Sequence, residues 1–179
     1  MSALKINSQS YYADAVTKTA TELKIKNTMA APRISKVSLN IGMGKYDNKQ
    51  KQEIIKYLEK LTGQTPKAVK SKMSVAGFKL RKNELVACQV TLRGKKAKDF
   101  LVNLVFLGLP RTRDFRGIKS TSFDSTFSTY SVGIENTSIF PAIGFDIPFN
   151  FGLQVNVSFA TATKDNVELL KNLNFPFKK

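Results

Sequence analysis

Apolar and polar residues alternate with a period of two in four segments of the chain, which is typical of half-buried β-strands. These segments span residues 36–41, 86–93, 130–134 and 153–159. Residues 67–70 form a shorter candidate of the same kind. Because each segment places its apolar residues on one face, the pattern predicts a sheet with one buried side and one polar side.

Four other segments repeat apolar residues at the spacing of an amphipathic α-helix, over residues 10–26, 54–61, 97–105 and 164–175. Gly63 is placed to cap the second helix, Pro110 to close the third, and Thr163 to cap the start of the last. Helices mixed with half-polar strands predict an α+β fold, with helices on one face of a sheet and the other face open. No repeat or linker divides residues 1–179, which predicts a single domain.

Charge divides the chain unevenly. It has 29 Lys or Arg and 13 Asp or Glu residues, a net charge of +16 and a pI near 10.0. Such a balance predicts a polyanionic partner. Residues 120–163 contain no Lys or Arg but do contain Asp124, Glu135 and Asp146. We therefore expect a basic part, about 1–119, that faces RNA, and a neutral-to-acidic part, about 120–163, that faces protein or solvent, followed by a helix over about 164–175.

Residue types that enzymes require are missing or scattered. The chain has no histidine and a single cysteine, Cys88, which excludes His-dependent catalysis, an internal disulfide and Cys/His zinc sites. Cys88 lies in a strand pattern and is predicted to be a buried structural thiol. The glycines at 42 and 44 fit neither a Walker loop nor a dinucleotide-binding loop. The sequence predicts no enzyme, cofactor, metal, small-molecule substrate or membrane segment.

Two predicted strands offer polar faces suited to RNA. Lys36, Ser38 and Asn40 share one face, and Gln89, Thr91 and Arg93 share another. Amides and hydroxyls can contact ribose hydroxyls and base edges, and Arg can pair with phosphate. These faces carry no aromatic pair for base stacking, which favours structured RNA over single strands. The alternative is that each is an ordinary solvated strand side chain.

The segment 67–98 contains ten Lys or Arg residues and one acid, Glu84. Within it lies a glycine-centred basic loop, residues 71–81, whose polar and basic positions are Lys72, Ser74, Lys79 and Arg81 around Gly77. We expect this loop to bind phosphate and to be mobile in the free protein, because Gly77 is permissive and no acidic partner is evident. The alternative is a solvated charged surface.

A second basic cluster, here called the arginine loop, contains Arg111, Arg113 and Arg116. Three arginines at short spacing in a loop can pair with phosphate or with the carboxylates of a protein partner. Pairing with Asp114 within the chain is the alternative.

Short motifs along the chain resemble a known family, the bacterial-type large-subunit ribosomal protein five. They are VSLNIG at 37–42, TGQTP at 62–66, SVAGFKLR at 74–81, VTLRG at 90–94, LPRTRDFRG at 109–117, SFD at 122–124, IFP at 139–141 and FPF at 175–177. The motifs occur in the family's order over nearly the whole chain.

The resemblance implies an α+β fold with a largely antiparallel sheet and a place in the central protuberance of the large ribosomal subunit. Members of this family attach 5S rRNA there, beside the large-subunit rRNA. Asn40, Gln64, Thr91 and Arg93 fall where the family's 5S contacts cluster. The basic loop corresponds to the family's contact with the peptidyl-site tRNA. The arginine loop and the later acidic region, here Asp146, correspond to an intersubunit bridge to small-subunit ribosomal protein thirteen.

The chain departs from the family pattern in its last third. Ser125 to Ser128 replace a Gly-Arg-Gly-Asn sequence, and an apolar turn with Phe149 and Phe151 replaces an arginine-rich one. Phe149 and Phe151 are either an apolar contact for a partner or part of the chain's own core. The resemblance implies a bacterial cytoplasmic ribosome, with an organellar ribosome as the alternative. The rival functions are a nuclease or modifying enzyme that acts on RNA, and a free-standing structured-RNA-binding protein or RNA chaperone.

Overall fold

The structure, a computed structural model, describes residues 8–78, 80–113, 115–140 and 149–178. Its helices are α1 (Ser8–Glu22), α2 (Asn48–Thr62), α3 (Gly94–Asn103) and α4 (Asp165–Asn172). Its strands are β1 (Ile34–Gly42), β2 (Lys67–Lys70), β3 (Leu85–Arg93), β4 (Thr129–Ile134) and β5 (Leu153–Phe159). All nine predicted elements are present, and the predicted α+β class is confirmed.

The five strands form one antiparallel sheet in the order β2-β3-β1-β5-β4. Strand β1 is central, with β3 on one side and β5 on the other. Ser38, in the middle of β1, pairs with Thr91 of β3 and Asn156 of β5. The pairing fixes which side chains are neighbours, because directly opposite residues in an antiparallel pair have Cβ atoms only about 5 Å apart.

Helices cover one face of the sheet. Val37, Leu39 and Ile41 of β1 are fully buried against this side, as are Val155 and Val157 of β5. The helices contribute Ile54, Leu58, Leu104, Leu169 and Leu170, all fully buried, to the same core. Burial of one such side chain contributes about 1.5–3 kcal/mol, so the core fixes which face each strand turns outward.

Cys88 belongs to this core, as predicted. It is fully buried, and burial raises the pKa of its thiol to about 11. The thiol therefore stays protonated at neutral pH and serves as a small apolar group.

The helix ends follow the sequence in part. Gly63 caps α2 as predicted, with φ of 59° and its N–H donating to the carbonyl of Glu59. Helical structure after α3 continues through a π-turn, Leu104–Gly108, and ends in the short turn Leu109–Arg111 that contains Pro110. The Thr163 prediction is wrong: α4 begins at Asp165 with Lys164 as its N-cap and no side-chain cap hydrogen bond. Helix α4 also ends at Asn172, before the predicted residue 175.

The chain's C-terminal segment docks beside the arginine loop. The N–H of Ile118 donates to the carbonyl of Pro176 at 2.8 Å, and the N–H of Lys178 donates to the carbonyl of Ile118 at 2.9 Å. The ring of Phe177 contacts Tyr130 of β4, with ring centroids 5.9 Å apart. Gly117, which directly precedes Ile118, has a φ of +91°. Among the described residues, no helix has the length and apolar character needed to span a bilayer.

Candidate nucleic-acid interface

The sheet face opposite the helices, here called the open face, is lined by polar side chains from all five strands. Its members are Lys67 of β2; Gln89, Thr91 and Arg93 of β3; Lys36, Ser38 and Asn40 of β1; Gln154, Asn156 and Ser158 of β5; and Thr129 and Ser131 of β4. None of these residues is acidic, aromatic or buried. The two predicted polar strand faces are thus neighbours on a single surface.

Asn40 lies near the middle of this surface. Its partners across the sheet are Gln89 on β3 and Gln154 on β5, so three side-chain amides form one row. In the part of the chain that the structure describes, the side chains of Asn40 and Gln89 make no hydrogen bond. Their donors and acceptors are therefore free for an external partner that offers both, as ribose hydroxyls and base edges do.

One end of the open face is cationic. Lys36 of β1 lies directly opposite Arg93 of β3. No carboxylate of the described residues forms an ion pair with either side chain. Two adjacent cations without an internal partner repel each other, and a phosphate group placed between them relieves that repulsion.

Gln64 lies off the strands, in the turn between α2 and β2. The Thr62 hydroxyl accepts a hydrogen bond from the N–H of Gln64 at 3.3 Å and donates one to its carbonyl at 3.1 Å. Lys96, three residues after Arg93, donates to the carbonyl of Gly63 at 2.7 Å. This contact holds the exposed Gln64 close to the start of α3, beyond the end of β3 where Arg93 lies.

The sequence interpretation missed the part of the open face that β4 and β5 supply. Gln154, Asn156 and Ser158 are as regularly spaced as the polar residues of β1, and Gln154 donates to the Asn156 side chain at 3.3 Å. The alternation in 153–159 contains this signal. The change of charge near residue 120 outweighed this signal, because it placed the segment in the part expected to face protein or solvent. That boundary does not coincide with an edge of the sheet, because β5 adjoins β1.

The basic loop, residues 71–81, extends from strands β2 and β3. Its described residues include a bridge between Val75 and Leu80 and the short turn Ala76–Phe78. The Ser74 hydroxyl accepts a hydrogen bond from the N–H of Lys82 at 3.0 Å. Lys72, Ser74, Gly77 and Arg81 are exposed. Lys79 lies outside the described residues.

Glu84 holds the base of the basic loop, which corrects the expectation that no acidic partner was near. Its backbone carbonyl accepts from the N–H of Ser71 at 2.8 Å, and its carboxylate accepts from the N–H of Arg81 at 3.1 Å. The buried ammonium of Lys51 donates to the same carboxylate at 3.1 Å. The hydrogen bond from Arg81 and then the contact with Lys51 lower the pKa of Glu84. The loop is therefore held at its base, while the side chains of Lys72 and Arg81 stay exposed.

The arginine loop faces a groove beside β4. The groove is lined by Arg111, Arg113, Arg116 and Lys119, together with residues 131–136. The groove has a volume of about 820 Å³. In the described residues, no ion pair joins these cations to a carboxylate. Asp114 and Asp146 lie outside the described residues.

The two phenylalanines of the altered C-terminal turn differ. Phe151 is buried in the core, 5.0 Å from the ring of Tyr57 between centroids. Phe149 is half-buried and packs against Tyr46 and Phe151. Core packing therefore accounts for Phe151, and only Phe149 keeps an exposed part that a partner could contact.

The chain is similar in sequence to a known family of proteins. The family described as "Ribosomal protein L5" matches residues 27–81, and the family that describes the C-terminus of the same ribosomal proteins matches residues 85–177. The large ribosomal subunit protein uL5 of Chlorobium luteolum is 40% identical over 182 residues, covering 98% of this chain and 92% of that protein. The protein of the same name from Dichelobacter nodosus is 38% identical, covering 94% and 96%. That of Mycoplasma mycoides is 41% identical, covering 88% and 89%.

These relatives, which are ribosomal proteins and not enzymes, define the class of the chain as a ribosomal protein. The chain belongs to the ribosomal protein L5 family of the large subunit. The sequence resemblance is thereby confirmed.

Proposed function

We propose that this chain binds 5S rRNA through its open face and attaches it to the central protuberance of the large subunit, beside the large-subunit rRNA. The observation that supports this most directly is the row formed by Gln89, Asn40 and Gln154, in which the amides of Asn40 and Gln89 make no hydrogen bond and no described residue of the open face is acidic. Lys36, Ser38, Gln64, Thr91 and Arg93 surround that row and act with it. Because its relatives are bacterial, we locate the protein on the ribosome of the bacterial cytoplasm.

We also propose a division of labour between the loops. The basic loop contacts the peptidyl-site tRNA through Lys72, Ser74, Gly77, Lys79 and Arg81. The arginine loop, with Arg111, Arg113 and Arg116, together with Asp146, forms an intersubunit bridge to small-subunit ribosomal protein thirteen. The exposed cations of both loops support this assignment, as does the fastening of the basic loop by Glu84. The single domain then faces RNA mainly with residues 1–119, extended by the polar sides of β4 and β5.

Binding to isolated 5S rRNA tests the first proposal. At one fixed salt concentration, we expect the protein to bind 5S rRNA at least about tenfold more tightly than an RNA of the same length and composition in scrambled order, because amides and hydroxyls read a defined shape. Filter binding or fluorescence anisotropy measures both affinities. Equal affinity for the two RNAs would instead support the runner-up function, a free-standing RNA chaperone that acts through charge.

Neutralising the basic loop tests the division of labour. With Lys72, Lys79 and Arg81 all changed to Gln, we expect 5S affinity to change by less than about threefold, because these positions fall outside the strands that form the open face. Retention of peptidyl-site tRNA by ribosomes assembled with the variant should fall. The matched control changes Lys49, Lys56 and Lys60, exposed on α2, to Gln for the same loss of charge. A collapse of 5S binding with normal tRNA retention would contradict the assignment.

A further inference from the structure

Strand β4 is the outermost strand of the sheet, and the residues that the structure describes cover only part of its outer edge. The N–H of Ser131 donates to the carbonyl of Ser122 at 3.1 Å, and the N–H of Asp124 donates to the carbonyl of Thr129 at 3.0 Å. Residues 122–124 therefore pair with the first half of β4. Since backbone groups alternate in direction along a strand, the N–H and C=O of Gly133 turn to the same outer side as those of Ser131.

No described residue pairs with the backbone of Gly133 on that side. A methyl group added at Gly133 would meet no atom within 4 Å, so the open face of the sheet is also clear at this residue. An uncovered strand edge is a template for another extended chain. The groove of about 820 Å³ lies along this same stretch.

The walls of the groove combine apolar and cationic groups. Leu109, Ile118 and Ile139 line it together with the half-buried Phe115. Exposed arginines and Lys119 provide positive charge, while Glu135 is the one acid that lines it among the described residues. A nucleic acid gains little from apolar walls and a free strand edge. A polypeptide gains from both, and its carboxylates match the guanidinium groups.

We propose that the groove binds an extended, acidic polypeptide segment, which adds to the sheet as a strand beside Gly133 and places Asp or Glu side chains against Arg111, Arg113 and Arg116. This inference rests on the proposed use of the arginine loop as a protein contact, and it specifies the partner's conformation and charge. The added strand would occupy the second half of the β4 edge, which residues 122–124 leave uncovered.

A synthetic peptide of about ten residues that alternates Glu with Val tests the proposal. Its binding to the full-length, ¹⁵N-labelled protein is followed by amide NMR. We expect shifts centred on Gly133 and on residues 111–119, and saturable binding. Methylating every second peptide nitrogen removes the strand-pairing N–H groups and should abolish binding. Changing the three arginines to Gln should weaken it about tenfold.

The control with Lys49, Lys56 and Lys60 changed to Gln should bind the Glu-Val peptide as the parent does. Absence of peptide binding, or unchanged binding of the N-methylated peptide, would overturn the proposal. So would an RNA oligonucleotide that displaces the peptide at lower concentration, since the groove would then be a phosphate site. Affinity for 5S rRNA is measured on the same arginine variant. If it stays normal, a failed peptide experiment leaves the RNA function of the open face intact.

Discussion

Replacing Asn40 by Ala is expected to weaken 5S rRNA binding by about 1–3 kcal/mol, roughly 5- to 150-fold. The side chain lies at the centre of the amide row, between Gln89 and Gln154, and makes no hydrogen bond within the described part of the chain. Its loss would leave polar groups of the RNA unpaired in a closed interface, which costs more than the loss of a solvated contact. Anisotropy titrations at fixed salt measure the change.

The matched control is Asn103→Ala, an exposed position at the end of α3 on the helix side of the sheet, which should bind as the parent does. Thr91→Ala provides a second substitution in the open face, next to Ser38. Unchanged affinity in both Asn40→Ala and Thr91→Ala, within error, would remove the open face from the RNA interface.

Replacing Gly117 by Ala is expected to destabilise the fold by about 2–5 kcal/mol. The backbone has φ of +91°, a conformation that side chains with a Cβ rarely adopt. The new methyl group would also lie 2.7 Å from the backbone nitrogen of Lys178 and 2.8 Å from its Cα. Backbone atoms cannot rotate away as a flexible side chain can, so the C-terminal segment would have to leave Ile118. The midpoint of urea unfolding measures the loss.

Gly133→Ala is the matched control for this substitution. Its backbone is extended within β4 and its Cβ position is open, so we expect stability equal to the parent or higher by about 0.4–1 kcal/mol. A Gly117→Ala protein as stable as Gly133→Ala would show that the C-terminal segment is not held at this point.

The strands were predictable because their alternation is regular and each buries one face. The half of the open face on β5 was not predictable, because no local pattern in the sequence indicates that β5 adjoins β1. That neighbour relation follows from the packing of the whole sheet, and it overrides the change in charge near residue 120. For the open face, the spacing of polar residues therefore predicts which residues belong to the surface better than the distribution of charge does.

The contact between Lys51 and Glu84 at the base of the basic loop was not predictable for a different reason. Lys51 lies in a helix rich in charged residues, where a lysine is normally solvated, yet it is 3% exposed and its ammonium pairs with Glu84 at the base of the loop. A contact between residues 33 positions apart produces no periodic pattern in the sequence. Thr163 is not the cap, because α4 begins at Asp165 and its N-cap is Lys164, one residue after the predicted position.

The central position of β1 has a consequence for synthesis of the chain. Residues 34–42 are made early, but one of their two neighbours, β5, spans residues 153–159. While the chain is being translated, β1 therefore keeps one unpaired edge until nearly the whole protein has emerged. Sheets built from such distant pairings form slowly, and an unpaired apolar strand invites aggregation. The strand that supplies Asn40 can thus be completed only after synthesis is almost finished, so a nascent chain cannot present the finished amide row.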